Sequence, residues 1–428
     1  MSDIVIRGAR LIDPARDFDG PADVRIEGGV IAAIGEGGLD ASGAARVIEA
    51  HGLCLAPGLI DIRVKTGEPG NEQKETLLSA ARAAAAGGVT TIVVQPDTDP
   101  TVDDPAMVDF IRRRGASHDL VRVEVAGAAT RGHDGRRMAE IGLMHEAGAL
   151  YFTDCDRVIA DSRTLRRVMA YAGAFNALIA HRPVDAWLCE GAVATEGELA
   201  ARLGLAAVPA IAERIGLERD LALVELTGAR FLVDMLSTAE ALQTLRRARK
   251  RGLEVSASVS INHLCFNEID IGDYRTFYRL DPPLRPEADR LALIEAVRDG
   301  EIDVITSAHS PAPAEDKRLP FADAQPGAVG LETLLPAALG LHHEHGLELI
   351  EVLRPLTCGP AALLGLERGS VTEGAPADLL LFDPGAPRSI DAGQLISRSR
   401  NSPFDGRLLQ GRVSMTLVGG RIVHDDLS

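Results

Sequence analysis

The chain has 428 residues, of which 46% are hydrophobic and 25% charged, with a formal net charge of −17. That length holds one large domain with a smaller one beside it, and the balance of polar and apolar residues is that of an ordinary globular protein. The acidic excess argues against nucleic acid or an anionic membrane as the main partner.

The opening stretch MSDIVIRGARLID has no basic segment leading into a long apolar run, so no signal peptide is expected. No window approaches the ~18 consecutive apolar residues that a membrane span needs. The five cysteines, Cys54, Cys155, Cys189, Cys265 and Cys358, are scattered and form no CxxC pair. That pattern predicts neither a zinc knuckle nor a disulfide framework, and a reducing, cytoplasmic setting.

Residues 1–53 alternate short β-like runs with glycine turns, and residues 371–428 return to the same texture in ADLLLFDP and VSMTLVGGRIVHD. The two ends are expected to form one composite β-sandwich, with residues 54–370 inserted as a separate domain. In that insertion eight apolar runs follow one another: GLIDIRV, TTIVVQPD, LVRVEVAGAA, ALYFTD, NALIAHR, ARFLVDML, LEVSASVSI and IDVITSAHS. Amphipathic stretches such as KETLLSAARAAAAGG and TAEALQTLRRARKRG separate most of them. The pattern predicts an α/β fold, a (β/α)8 TIM barrel, whose functional residues lie at the C-terminal ends of the strands.

Three of the eleven histidines, His181, His263 and His309, fall at or just after those strand ends. The cluster His342, His343 and His345 lies in a helical stretch and reads as a solvated helix face. At the end of the first barrel run, DIRVKTGEPG places Arg63 and Lys65 two residues apart, a spacing that suits two metal ligands. Both are cations, and an arginine has no lone pair to give a metal at any reachable pH.

APGLID followed by EPGNEQKET and AARAAAAGGVTTIV resembles the signature of dihydroorotases, the cyclic amidohydrolases of pyrimidine synthesis. The likeness continues through RLGLAAVPAIAERIGLERDLALVELTGAR, STAEAL, DPPLR, GAVGLET and NSPFDG, and so covers essentially the whole chain. It implies the same barrel and split sandwich, and kinship to the type of dihydroorotase found in multifunctional complexes. It also implies where the site would be, and there this chain departs from the family. Arg63 and Lys65 stand at the His-x-His ligands, Met235 at a ligand histidine, and Ala308 at the aspartate that binds metal and shuttles the proton. Gly67 stands at the arginine that grips the substrate carboxylate, Asp97 and Asp281 at substrate-binding asparagines, and His309 and Ala312 lie in the same Asp-His-Ala-Pro-His segment. Two positions match: His181 at a ligand histidine, and Asp154 at the bridging aspartate, with Asp156 leaving that register open.

Three readings follow. The leading one is a non-catalytic chain with a dismantled metal site, no cofactor, and a role supporting the catalytic chains of aspartate carbamoyltransferase in a homo- or hetero-oligomer; that partner is implied by the resemblance alone. The second is an active zinc-dependent dihydroorotase or related cyclic amidohydrolase, resting on His181, Asp154 and His309. The third is an anion or metabolite sensor built on Arg63 and Lys65. For those two cations the expected partners are Asp154, Asp61 or Asp156, whose ionised form they would stabilise.

Overall fold

The computed structural model describes residues 3–427. The chain begins with five strands, β1 (Ile4–Asp13), β2 (Phe18–Glu27), β3 (Val30–Gly35), β4 (Arg46–Glu49) and β5 (Cys54–Pro57). Then come β6 (Leu59–Val64), β7 (Val89–Val94), β8 (Arg122–Val125), β9 (Tyr151–Phe152) and β10 (Leu178–His181). A short parallel pair, β11 (Ala194–Thr195) and β12 (Ala207–Val208), precedes β13 (Phe231–Val233), β14 (Val255–Ser260) and β15 (Val304–Thr306). The chain closes with β16 (Leu379–Ser389), β17 (Leu408–Val418) and β18 (Arg421–Asp425).

All eight apolar runs of the middle segment become parallel strands. They pair as β6-β7-β8 and as β9-β10-β13-β14-β15. Bridges between Gly127 and Phe152 and between Val64 and His309 join the two arcs, so the barrel closes. The two terminal segments share one eight-stranded sheet in the order β18-β17-β16-β5-β1-β2-β3, with β4 beside β1.

The period of two along β16 and β17 explains how this sheet serves two cores. Leu379, Leu381, Met415 and Leu417 face the core of the terminal sheet, with Ile6, Leu11, Val24 and Ile26. Leu380, Phe382 and Val413 face the other way, into the large core around the barrel. Gly58 links the sheet to β6 at a place with no room for a side chain, since a Cβ there would come within 2.1 Å of Thr90.

The helix Leu77–Ala86 starts at a capping box, with Thr76 Oγ1 accepting from the Ser79 amide and Ser79 Oγ accepting from the Thr76 amide. Its alanine-rich faces let it pack tightly between β7 and β17, where the Thr416 hydroxyl donates to the Ala85 carbonyl at 2.7 Å. Among the described residues no helix is long and apolar enough to cross a membrane.

Candidate site at the barrel mouth

Asp61, Arg63 and Lys65 alternate along β6 and its exit, so all three turn toward the barrel interior. Arg63 Nε donates to Asp234 at 2.8 Å and its Nη2 donates to Asp156 at 2.7 Å. Lys65 Nζ donates to the same Asp156 and reaches Asp97 at 2.8 Å. Beside them Arg182 pairs with Asp281, and Arg279 adds positive charge near that carboxylate. The mouth is therefore a continuous cation–carboxylate network. Burial disfavours the Lys65 ammonium, but Asp156 and Asp97 overcome it and hold its pKa well above the usual lysine range. Burial likewise works against the Asp156 carboxylate, which Lys65 and Arg63 nevertheless hold far below the usual range.

Of the three expected partners only Asp156 serves. Asp61 takes the amide of Arg63 at 3.2 Å and the Ser307 hydroxyl instead, and burial pushes its pKa up to about 6. Asp154 is turned away toward the loop after β8, where it accepts from the amides of Ala129 at 3.1 Å and Thr130 at 2.8 Å and from the Thr130 hydroxyl. The charges that compensate Arg63 and Lys65 are those of Asp97, Asp156 and Asp234.

His181 is fully engaged in packing. Its Nε2 accepts the Ile159 amide at 3.0 Å, which fixes the proton on Nδ1, and Nδ1 lies 2.7 Å from Asp220. The lone pair that a metal would need is already used. Met235 and Ala308 both adopt left-handed backbone conformations, with φ of 61° and 50°. The Met235 sulfur rests 3.9 Å from the Thr306 hydroxyl, and Ala308 brings only a methyl group. His309 is buried, accepting the Gly330 amide on Nδ1 at 3.2 Å with Nε2 at 3.5 Å from Glu75. Ala312 is buried behind it, its amide held by Asn401 at 3.1 Å.

Gly67 sits in a loop built around the absence of a side chain. Its amide donates to the Glu75 carbonyl at 2.8 Å, and a Cβ on it would lie 1.8 Å from the Asn71 carbonyl oxygen. Glu68 anchors the same loop, accepting the Leu77 amide at 2.9 Å and Arg114 at 2.8 Å.

The space left inside the mouth is about 20 Å³, room for one or two waters. His263 borders it, and burial, with Arg285 adding to it, pushes the imidazole down to about 4. An unfolded histidine takes up its proton near pH 6.5 whereas this one resists until about 4, so the unfolded state binds more protons in that window. Stability is then complete above pH 6.5 and falls as pH drops toward 4, by up to about 3 kcal/mol. In urea unfolding across pH 4–7, His263→Asn is expected to remove that part of the slope.

Comparison with known proteins places this geometry. Residues 52–241 match the dihydro-orotase-like family, and residues 224–423 match the amidohydrolase family. A dihydroorotase of Anaeromyxobacter dehalogenans is 40% identical over 429 residues, covering 100% of this chain and 99% of that protein. The chain belongs to the dihydroorotase family. A dihydroorotase-like protein of Pseudomonas aeruginosa is also 40% identical, over 423 residues and 99% of both chains. Among solved structures, the L-hydantoinase of Arthrobacter aurescens superposes with a TM-score of 0.90 at 26% identity, covering 100% of this chain and 97% of that one. A D-hydantoinase of Thermus sp. shares the fold with a TM-score of 0.84 at 21% identity, covering 99% and 96%.

Dihydroorotases of the amidohydrolase superfamily usually bind zinc. The side chains present here do not fit it. A catalytic zinc takes about three protein ligands that are deprotonated or neutral donors. Among the described residues no three His, Cys, Asp or Glu side chains gather into such a group. A guanidinium and an ammonium occupy the end of β6, His181 has no free nitrogen, and both Asp154 oxygens are taken.

Two members of the network escape a reading of the sequence, Arg182 and Asp234. Each is the first residue past the end of its strand, where period-two alternation no longer tells which way a side chain turns. The available signal was charge balance, since two largely desolvated cations at the end of β6 require carboxylates from neighbouring strand ends.

Proposed function

We propose that this member of the dihydroorotase family is non-catalytic, a scaffold chain of pyrimidine biosynthesis that supports assembly of aspartate carbamoyltransferase. The single observation that carries this reading is the mouth itself: Asp97, Asp156 and Asp234 are consumed in neutralising Arg63 and Lys65. Hydrolysis of a cyclic amide needs an activated water, a group to carry its proton, and a clamp for the substrate carboxylate. Ala308 carries no proton, Gly67 has no room for a clamp, and the 20 Å³ left open is far below the roughly 300 Å³ at which ligand pockets begin. Met235 and Ala308 keep the kinked backbone of a site without a functional side chain, which supports descent from an active enzyme. The transferase partner comes from the family resemblance; the intact barrel and the closed mouth are what a chain retained for binding would keep.

The alternative is an active zinc-dependent dihydroorotase, and the naming of several relatives 38–40% identical as dihydroorotases favours it. The two separate in one assay. The purified chain in zinc-containing buffer is expected to show no dihydroorotate hydrolysis above a blank, and to co-elute with the aspartate carbamoyltransferase of its own cell. Steady turnover would instead establish the enzyme. Arg63→His with Lys65→His is expected to remain inactive, because Ala308, Met235 and Gly67 are unchanged; measurable turnover in that double variant would show that the network alone blocks the site.

A further inference from the structure

A second concave space lies outside the mouth. A cavity of about 600 Å³ opens between residues 276–277, 312–318 and 398–401, and it shares no lining residue with the mouth. Arg318, Arg398 and Arg400 line it. In a chain with net charge −17, none of these three forms an ion pair among the described residues. Arg400 donates to the Ser397 carbonyl at 2.8 Å, and the exposed guanidinium groups of Arg318 and Arg398 make no hydrogen bond to protein among the described residues. In the same lining Lys317 is only 4% exposed, and its ammonium is held by the carbonyls of Thr276 at 3.1 Å and Arg279 at 3.3 Å, with no carboxylate partner among the described residues. Burial, with Arg279 adding to it, pushes that lysine down to about 7, as expected of a buried cation that lacks a counter-charge. The one acid in the lining, Glu315, is exposed and forms no ion pair among the described residues. Phe277 and Pro313 supply an apolar wall.

We propose that this cavity binds a small phosphorylated molecule carrying a planar ring. Guanidinium groups meet phosphate oxygens in bidentate pairs. Three of them around one hollow, none paired with a protein carboxylate among the described residues, leave their charge for an external anion. Phe277, in the same lining, supplies an aromatic side chain against which a base or similar ring can pack. A volume of 600 Å³ lies within the roughly 300–1,000 Å³ of small-molecule sites. The site stands whether or not the mouth hydrolyses a substrate.

Isothermal calorimetry on the full chain tests it, with ATP, inorganic pyrophosphate and adenosine as separate probes. ATP is expected to bind saturably near one equivalent, with pyrophosphate and adenosine each weaker by about tenfold or more. The double variant Arg398→Ala with Arg400→Ala, and separately Arg318→Ala, should each weaken ATP at least about tenfold while leaving the circular dichroism spectrum unchanged. All three arginines are exposed, so folding is not at stake. No saturable ATP binding by about 1 mM, or equal ATP affinity in the variants and the natural chain, overturns the proposal.

Discussion

Asp234→Ala is expected to lower stability by about 3–5 kcal/mol, because it leaves the Arg63 guanidinium buried beside a methyl group. The side chains of Arg63 and Asp234 are 4% and 6% exposed, so water cannot take over the lost partner. Ser258 loses an acceptor at the same stroke, since its hydroxyl donates to the other Asp234 oxygen at 2.9 Å. Asp156→Ala should cost less, about 1–2 kcal/mol, although Asp156 touches both cations. Its side chain keeps 32% exposure, so solvent screens part of the charge it leaves behind. The order of the two effects is the informative quantity. Removing charge from both sides, in Arg63→Met with Asp234→Leu, is expected to recover much of the loss, because a buried ion pair can be replaced by apolar packing at little net cost. Chemical denaturation of the four proteins measures this directly. A cost below about 1 kcal/mol for Asp234→Ala would mean that the network is hydrated rather than buried.

Gly67→Ala is expected to cost at least about 3 kcal/mol, more than overpacking usually does. The intruding Cβ meets a backbone oxygen at 1.8 Å, and that oxygen belongs to the turn that holds the loop together. A flexible side chain could swing away; a carbonyl in a hydrogen-bonded turn cannot without unlatching Gly67 from Glu75. Gly67→Arg, which would supply the carboxylate clamp that the family resemblance implies for this position, should be at least as damaging and bind no substrate. The loop around Gly67 thus leaves no room for a clamping side chain at this position. A thermal melt of Gly67→Ala that overlays the natural chain would show the loop to be far looser than its contacts imply.

The barrel was legible because eight apolar runs separated by amphipathic stretches leave few other arrangements, and the strand pairs follow those runs one for one. The pair of cations at Arg63 and Lys65 was legible too, and no protonation state makes an arginine a metal ligand. The partners were less so. Asp154 and Asp156 lie two residues apart just past a two-residue strand, and only the turn at Cys155, with φ of 57°, sends one toward Thr130 and the other toward the cations. Asp234 precedes Met235, whose φ of 61° likewise redirects the chain. Strand periodicity ends before both places. The contact of Gly67 with Asn71 was hidden for a similar reason: a glycine announces freedom in the backbone, and only the folded loop shows that the space was already full.

The side cavity bears on how such a chain is used. If its arginines hold a phosphorylated molecule, the chain can sense a metabolite through the loop of residues 398–401 without chemistry at the mouth. Asn401 links that loop to Ser310 and Gly327 at 3.0 Å each, so a ligand there would press on the same segments that line the closed mouth.

Zinc content tests the central claim most directly. The purified chain is incubated with zinc, dialysed, and analysed for metal per chain. A mouth filled by Arg63 and Lys65 is expected to retain less than about a tenth of an equivalent. Retention of one or two equivalents, lost on substituting His181 or Asp154, would contradict the account and restore a metal-dependent hydrolase.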